Sequence, residues 1–179
     1  MKIFGLAGWS GSGKTTLMVR LIPEIVRRGL RVSTMKHAHH DFDVDQPGKD
    51  SYEHRAAGAS EVLISSARRF ALMHELRGAP EPPVEVLVRQ MSPVDLLLIE
   101  GFKGHGHDKL EVHRPSLGKT LLCLDDPRIV AVASDAPVAG LSVPRFDLDD
   151  VSGIADFILA HCRLATRTQP PSRADAQAG

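Results

Sequence analysis

The chain has 179 residues, 22 basic side chains balanced by 22 acidic ones, and only two cysteines. The charge balance argues against a general nucleic-acid or anionic-membrane binder. The two distant cysteines suggest free thiols in a reducing compartment. No apolar run approaches the ~20 residues of a membrane span, and the N-terminus lacks a signal-peptide pattern, so we predict a cytoplasmic protein.

The first predicted element is a short apolar strand, residues 3–7, that runs directly into a phosphate-binding motif. Residues 8–15 read GWSGSGKT, which matches the P-loop pattern GxxxxGK[ST]. Glycines permit backbone conformations that a Cβ would block, so successive amides can surround an anion at the start of the following helix. The predicted nucleotide-binding residues are Gly8, Ser10, Gly11, Ser12, Gly13, Lys14, Thr15 and Thr16.

Two residues of this motif have specific predicted roles. Lys14 is expected to act in catalysis as a point charge on the outer phosphates, and the Thr15 hydroxyl to ligate a Mg²⁺ that bridges them. Thr16 is the weaker candidate for the metal. A glycine-rich turn that binds nothing is the alternative, but the strand before the loop and the helix after it favour a working phosphate site.

A helix and a second strand follow the loop. Apolar residues recur at helical spacing over 17–26, and Gly29 is expected to end the helix. Pro23 is expected to kink or split it. Residues 31–36 then read as a strand, and a strand–helix–strand unit of this length implies a parallel sheet.

Residues 37–50 are polar and rich in histidine and aspartate. The side chains that alternate are His37, His39, Asp41, Asp43 and Asp45. A structural zinc site is one interpretation, although the spacing matches no zinc motif. The loop follows the second strand of the predicted parallel sheet, and this position favours a second interpretation. In it, Asp45 or Asp43 reaches the Mg²⁺ directly or through water. A plain surface loop is the third.

The next predicted elements are a helix over 51–57, two strands over 61–66 and 68–76 that form an antiparallel excursion, and a helix over 82–91. Asp50 is placed to cap the first of these helices, with Glu53 completing a capping box.

Residues 93–101 contain a fully apolar strand with a carboxylate at each end, Asp95 and Glu100. The two lie roughly 16 Å apart at the rise of an extended strand, so only one can serve the nucleotide. Ligands of parallel sheets bind at the carboxyl ends of the strands. Glu100 is therefore predicted to be the metal-binding and catalytic acid of a Walker-B-like strand, and a solvated strand end is the alternative.

The remaining predicted elements are a glycine-rich loop over 101–109, a strand over 110–115, a strand over 129–134 followed by Asp135, and a helix from Asp149 or Asp150 to about Cys162. Together these elements predict an α/β, P-loop NTPase-type three-layer fold. Its sheet is mostly parallel, with helices on both faces and a small antiparallel excursion. We predict one nucleotide-binding domain over 1–163 and a disordered tail over 164–179.

Four segments in this order resemble one known family. They are GWSGSGKTT, KHAHHDFDVDQPGKDSYEHRAAGA, DLLLIEGFK and KLEVHR. They look like the molybdopterin-guanine dinucleotide biosynthesis protein B family, and the resemblance covers residues 1 to about 162. The histidine-rich block is its most specific part, because ordinary P-loop kinases lack it.

The resemblance implies a homodimer that binds GTP with Mg²⁺ and hydrolyses it slowly. It also implies an adapter to the guanylyltransferase that joins GMP to molybdopterin, with molybdopterin itself as a further ligand. Lys36 and Lys103 are then candidate phosphate or pterin contacts. The sequence has no NKxD motif for guanine, but Asp135 follows a predicted strand and has the two acceptors that guanine N1 and N2 require.

Two other functions are compatible with the phosphate loop. A small-molecule kinase using ATP or GTP would also carry this loop, but no arginine-rich lid segment is apparent, although Arg68, Arg69 and Arg77 are available. A structural partner with a vestigial nucleotide loop is disfavoured by the intact Lys14 and Glu100. No residue stands out as an arginine finger, which fits slow turnover or a group supplied by a partner.

Overall fold

The computed structural model describes residues 1–38, 42–102 and 105–167. Their strands are β1 (Lys2–Ala7), β2 (Val32–Lys36), β3 (Glu61–Ser65), β4 (Phe70–His74), β5 (Leu96–Glu100), β6 (Lys109–His113), β7 (Ile129–Ser134) and β8 (Arg145–Asp147). Their α-helices are α1 (Lys14–Arg27), α2 (Asp50–Ala56), α3 (Val84–Arg89) and α4 (Val151–His161). None of these helices is long and apolar enough to cross a membrane.

The chain divides into two compact units. The first, which we call the body, contains residues 1–37 and the described residues from 91 onward. The second, the hairpin unit, contains residues 38–90.

The body is built on a six-stranded parallel sheet with the order β2-β5-β1-β6-β7-β8. The paired two-strand sheet of the hairpin unit is antiparallel. The predicted mostly parallel fold with a small antiparallel excursion is therefore confirmed. β1 lies between β5 and β6, so the loop that follows β1 is flanked by the carboxyl ends of both neighbours. This arrangement decides which later residues reach the phosphate loop.

One face of the body sheet packs against α1 and α4. Leu17, Leu21 and Ile25 follow a spacing of four residues, so they share one face of α1, and each is at most 1% exposed. They pack against Phe4 of β1 and Ile158 of α4, which are also fully buried. Burying an aliphatic side chain of this size contributes about 1.5–3 kcal/mol.

Pro23 does not split α1, so the expectation of a split helix is wrong. The helix runs without interruption from Lys14 to Arg27, and Pro23 lies on its exposed side. A proline costs a helix interior about 3 kcal/mol. The buried side chains of Leu21 and Ile25, on either side of it, hold both turns against the sheet and offset that cost.

The opposite face of the sheet carries buried charges. Lys109 is fully buried, and its Nζ donates to the carbonyl of His105 (2.7 Å) and to Asp126 (3.2 Å). Glu111 is also fully buried and accepts the backbone amides of Leu122 and Cys123, each at 2.9 Å. Because both charges have partners, this face tolerates polar side chains that an apolar strand pattern would not predict.

The hairpin unit confirms the predicted strands and corrects one helix cap. β3 pairs with β4 in antiparallel register, with Leu63 opposite Leu72. The predicted Asp50 cap with its Glu53 capping box is wrong. Lys49 is the N-cap, without a side-chain bond, and Asp50 is the first helical residue. The left-handed turn at Gly48 (φ 82°) makes the helix start one residue earlier than predicted. The negative charge of Asp50 still suits a helix N-terminus.

Arg55 is the centre of the ion pairs in the hairpin unit. Its guanidinium contacts the carboxylates of Asp45 (2.6 Å), Asp43 (2.8 Å) and Glu75 (3.1 Å). It also lies over the ring of Tyr52, 5.2 Å from the centroid. These contacts tie the loop before α2 to the chain after β4 through one side chain.

Candidate functional site

The loop after β1 has the backbone of a phosphate-binding loop. Gly8 (φ 144°) and Gly13 (φ 98°) adopt conformations that side chains disfavour. A Cβ on Gly8 would lie 2.4 Å from the carbonyl oxygen of Val112, so the loop passes too close to β6 for any other residue. Gly13 is the N-cap of α1 and supplies no side-chain acceptor, which leaves the first amides of the helix for an anion.

Lys14 lies over this loop. Its Nζ donates to the carbonyl oxygens of Gly8 and Trp9, each at 3.0 Å. The ammonium group is therefore held by the same backbone that would surround a phosphate group. This places a positive charge at the loop, where it can attract the outer phosphates of a nucleotide.

The structure brings Thr15 and Glu100 together. The Thr15 hydroxyl donates to Glu100 Oε1 at 2.8 Å, although the residues are 85 positions apart. β5 pairs in parallel with β1, so Glu100 lies level with Leu6 at the loop end of the sheet. Asp95 is at the other end of β5, where its Oδ2 accepts the amide of Arg31 at 2.7 Å.

The donor groups fit a nucleoside triphosphate with Mg²⁺. A hydroxyl and a carboxylate in contact are oxygen ligands of the kind that Mg²⁺ takes together with phosphates. The Ser12 hydroxyl is 1% exposed and has no hydrogen-bond partner among the described residues. Such an orphaned buried hydroxyl inside the loop is suited to an anion's oxygen. Thr16 is exposed in the first turn of α1, and Ser10 is exposed in the loop.

A segment after β6 lies against the loop from the other side, which the sequence did not indicate. The Trp9 indole donates to the Thr120 carbonyl at 2.8 Å, and Lys119 lies over the Trp9 ring at 5.7 Å. Arg114, the first residue after β6, donates from Nε to the Ser12 carbonyl at 3.1 Å. The loop therefore has a second support besides its own strand and helix.

Asp135 lies where the sequence placed it, directly after β7, but it has an unexpected partner. Its Oδ2 forms an ion pair with Arg114 Nη1. Both side chains are about a third exposed, at 36% and 35%. The residue proposed for guanine is thus linked through one arginine to the phosphate loop.

Comparison with known protein families identifies the family of this chain. The model of the family described as molybdopterin guanine dinucleotide synthesis protein B matches residues 3–135. The chain belongs to this family. The resemblance drawn from the four sequence segments is thereby confirmed.

Two relatives named molybdopterin-guanine dinucleotide biosynthesis adapter protein are similar over most of their length. The one from Escherichia coli is 44% identical over 160 residues, which are 88% of this chain and 91% of the relative. The one from Haemophilus influenzae is 40% identical over 161 residues, covering 87% and 86%. These names agree with the adapter role that the resemblance implies.

Solved structures from the same family share the fold. A crystal structure of molybdopterin-guanine biosynthesis protein B superposes with a TM-score of 0.70 at 32% identity, covering 90% of this chain and 99% of that one. A homologue from Bacillus stearothermophilus gives 0.66 at 26% identity, with 91% and 99% covered.

Asp45, the remaining predicted metal ligand of this family member, lies in the hairpin unit. Its side chain is 3% exposed and is held by Arg55 through both carboxylate oxygens, at 2.6 and 3.1 Å. The hydrogen bonds from Arg55 hold the pKa of Asp45 below its ordinary value, although burial opposes them. The role of Asp45 toward Mg²⁺ remains a prediction.

The histidine-rich block is described only in part. His39, Asp41 and Lys103 lie outside the described residues. Within the described part of the chain, no three histidine, cysteine or acidic side chains are grouped so as to hold a metal ion. The predicted contact residue Lys36 has its Nζ 3.8 Å from Glu100 Oε1, at the carboxyl end of β2.

The loop after Glu100 contains an unusual histidine. Both ring nitrogens of His107 are buried and have no hydrogen-bond partner among the described residues. The ring packs on β1, since a Cβ on Gly5 would lie 2.6 Å from its Nε2. Burial lowers the pKa of His107 to about 4, and the positive charge of Lys109 adds to the shift. The ring is therefore neutral at physiological pH.

Proposed function

We propose that the chain binds GTP with Mg²⁺ at the loop of residues 8–16 and hydrolyses it slowly. In this proposal it acts as an adapter to the transferase that attaches GMP to molybdopterin, forming molybdopterin guanine dinucleotide. The observation that carries the proposal is the 2.8 Å contact between Thr15 and Glu100 beside a complete phosphate loop. Membership of the family supplies the biosynthetic context.

The roles of the residues follow from their positions. The amides at the start of α1 and the Lys14 ammonium bind the phosphate oxygens and stabilise the charge that develops on them. Thr15 and Glu100 would hold the Mg²⁺, which, when bound, neutralises phosphate charge and orients the outer phosphates. Glu100 is only 12% exposed, so its carboxylate is held in a low-dielectric position where its charge acts strongly.

Slow hydrolysis is expected from the same geometry. Arg114 is the guanidinium that the structure places beside the loop, but it is bonded to the Ser12 carbonyl and to Asp135. A guanidinium held by these two bonds does not reach the terminal phosphate as an arginine finger does. The proposal therefore assigns the protein's role to the bound nucleotide more than to its turnover.

Calorimetric titration with GTP, ATP and GDP in the presence of Mg²⁺ tests the nucleotide part. The wild type is compared with Lys14→Ala, and with Lys2→Ala as a matched control at the opposite end of β1. We expect tight GTP binding, weaker ATP binding, and a loss of about 100-fold or more in Lys14→Ala only. Equal GTP affinity in Lys14→Ala would overturn the site.

Phosphate release by the purified protein, alone and with the purified transferase, tests the adapter part. We expect the protein on its own to release phosphate slowly. We also expect the transferase to form more dinucleotide when GTP-loaded protein is added. An ATP preference with fast release in the presence of a small acceptor would instead identify a kinase.

We also propose that the protein is a homodimer formed through the hairpin unit. Leu63, Leu72 and Phe70 share one face of the two-stranded sheet and are 60%, 51% and 73% exposed. A lone two-stranded sheet with such a face is marginal in water, and two copies of the same face can cover each other around a two-fold axis. Light scattering should give a dimer for wild type and a monomer for Leu72→Glu. A Leu72→Glu dimer would exclude this face.

A further inference from the structure

Arg114 is the side chain that joins the two ends of the candidate nucleotide site. Its Nε donates to the carbonyl of Ser12 in the phosphate loop, and its Nη1 contacts the carboxylate of Asp135. The guanidinium also lies next to the N-cap of α1, since a Cβ on Gly13 would be 3.6 Å from Nε and Nη2. One residue thus touches the phosphate end of the site and Asp135, the residue predicted to bind guanine.

The sheet explains why these residues meet. β6 lies between β1 and β7, with Glu111 level with Ala7 and His113 level with Ser134. Arg114 is the next residue after His113. Asp135 is likewise the next residue after Ser134, so the two side chains emerge side by side at the carboxyl edge of the sheet, where ligands of α/β folds bind.

Only an arginine can make both contacts from one rigid plane. A guanidinium presents five donors in a fixed fork, whereas a lysine ammonium is a single point on a flexible stem. Asp135 can accept from Arg114 and still bind a base, because a carboxylate has about four lone-pair sites. The described residues provide no donor to its Oδ1.

We propose that Arg114 is a positioning residue that fixes Asp135 relative to the phosphate loop and thereby gives the site its preference for guanine. This inference rests on the proposed function, since it needs a bound GTP. The guanidinium holds the carboxylate at the angle from which it accepts guanine N1–H and N2–H while the loop holds the phosphates. Without it, the carboxylate is free to rotate, and the two ends of the nucleotide are no longer bound in register.

The test compares ligands that differ at one end. Three ligands are titrated into wild type and three variants. They are Mg·GTP; Mg·ITP, which lacks the 2-amino group; and Mg·tripolyphosphate, which lacks base and ribose. The variants are Arg114→Ala, Arg114→Lys and Asp135→Asn. Arg20→Ala is the matched control, because Arg20 also forms an ion pair with an aspartate, Asp149, but on the outer side of α1.

We expect wild type and Arg20→Ala to prefer GTP over ITP by roughly tenfold, the worth of one hydrogen bond to a charged acceptor. Arg114→Ala, Arg114→Lys and Asp135→Asn should each lose most of that preference. Tripolyphosphate affinity should change less than GTP affinity in all three. The double variant Arg114→Ala/Asp135→Asn should be no worse than Asp135→Asn, since the two residues act as one unit.

Several results would overturn the inference. Equal losses for GTP and tripolyphosphate in Arg114→Ala would make Arg114 a direct phosphate ligand. Additive losses in the double variant, or full selectivity in Arg114→Lys, would show that Asp135 does not depend on the guanidinium. A wild type that binds GTP and ITP equally removes the inference but leaves GTP binding intact, whereas a wild type that binds neither overturns the proposed function itself. Melting temperatures of all variants separate these effects from loss of folding.

Discussion

In the body, Phe4 of β1, Leu98 of β5 and Leu21 of α1 are fully buried. In the hairpin unit, by contrast, Leu63, Phe70 and Leu72 are mostly exposed. In the hairpin unit, Arg55 also contacts three carboxylates. The body thus has a core that stabilises a fixed site, and the hairpin unit has an uncovered face. A stable core suits residues that must hold a phosphate loop in place, and an exposed apolar face suits a surface that another molecule covers.

The largest expected difference between the two regions is in the cost of losing a leucine. Leu98 in β5 is fully buried, and Leu98→Ala should lower the free energy of unfolding by about 2–5 kcal/mol. Leu72→Ala, studied as dilute monomer, should cost less than about 0.5 kcal/mol because its side chain is already solvated. Urea titrations followed by far-ultraviolet circular dichroism measure both. Similar costs would mean that the hairpin face is covered within one chain.

Removing Arg55 should loosen the hairpin unit and leave the body unchanged. Arg55→Ala leaves three carboxylates without their common cation, so amide protection over 42–90 is expected to fall on the order of tenfold. Hydrogen exchange followed by mass spectrometry resolves the two regions. Arg68→Ala, in the exposed turn between β3 and β4, is the control and should change neither. A loss of protection in β1 and β5 as well would show that the units unfold together.

A pH-dependent effect is expected from His107, and it concerns the body alone. The folded protein binds a proton at His107 with a pKa of about 4, whereas an unfolded chain binds it near the ordinary value of 6.5. Between these values the unfolded state holds more protons, so stability falls as the pH is lowered from 6.5 to 4 and the loss is complete below 4. His107→Gln should reduce this pH dependence in urea titrations at pH 7 and pH 4.5. An unchanged slope would show that other groups cause it.

The sequence predicted those parts of the protein that depend on local pattern. The phosphate loop, the antiparallel β3–β4 pair and the strand at 129–134 were placed correctly, since each has a motif or a run of β-branched and apolar residues. Glu100 was placed beside the loop by one topological argument, the shared direction of parallel strands. The structure shows it in contact with Thr15.

The rest depended on contacts between distant segments. Arg114 falls inside the strand that was predicted over 110–115, and nothing local shows that Ser12 and Asp135 lie within its reach. The sequence pattern also does not show that the charged side chains of Lys109 and Glu111 are buried and form a polar face of the sheet. β8 is only three residues long, too short to leave a periodic signal. Pro23 was judged by its intrinsic helix propensity, which tertiary packing overrode.

The position of β1 in the sheet has a consequence for synthesis. β1 is made well before its sheet neighbours β5 and β6, and Lys2 pairs with Leu96. The strand that carries the phosphate loop therefore stays unpaired on the ribosome until β5 has emerged, whereas β3 and β4 can pair as soon as they are made. We expect pulse-labelling during refolding to show amide protection in β3 and β4 before β1. Until β5 arrives, β1 is an unpaired apolar strand that needs shielding from other nascent chains.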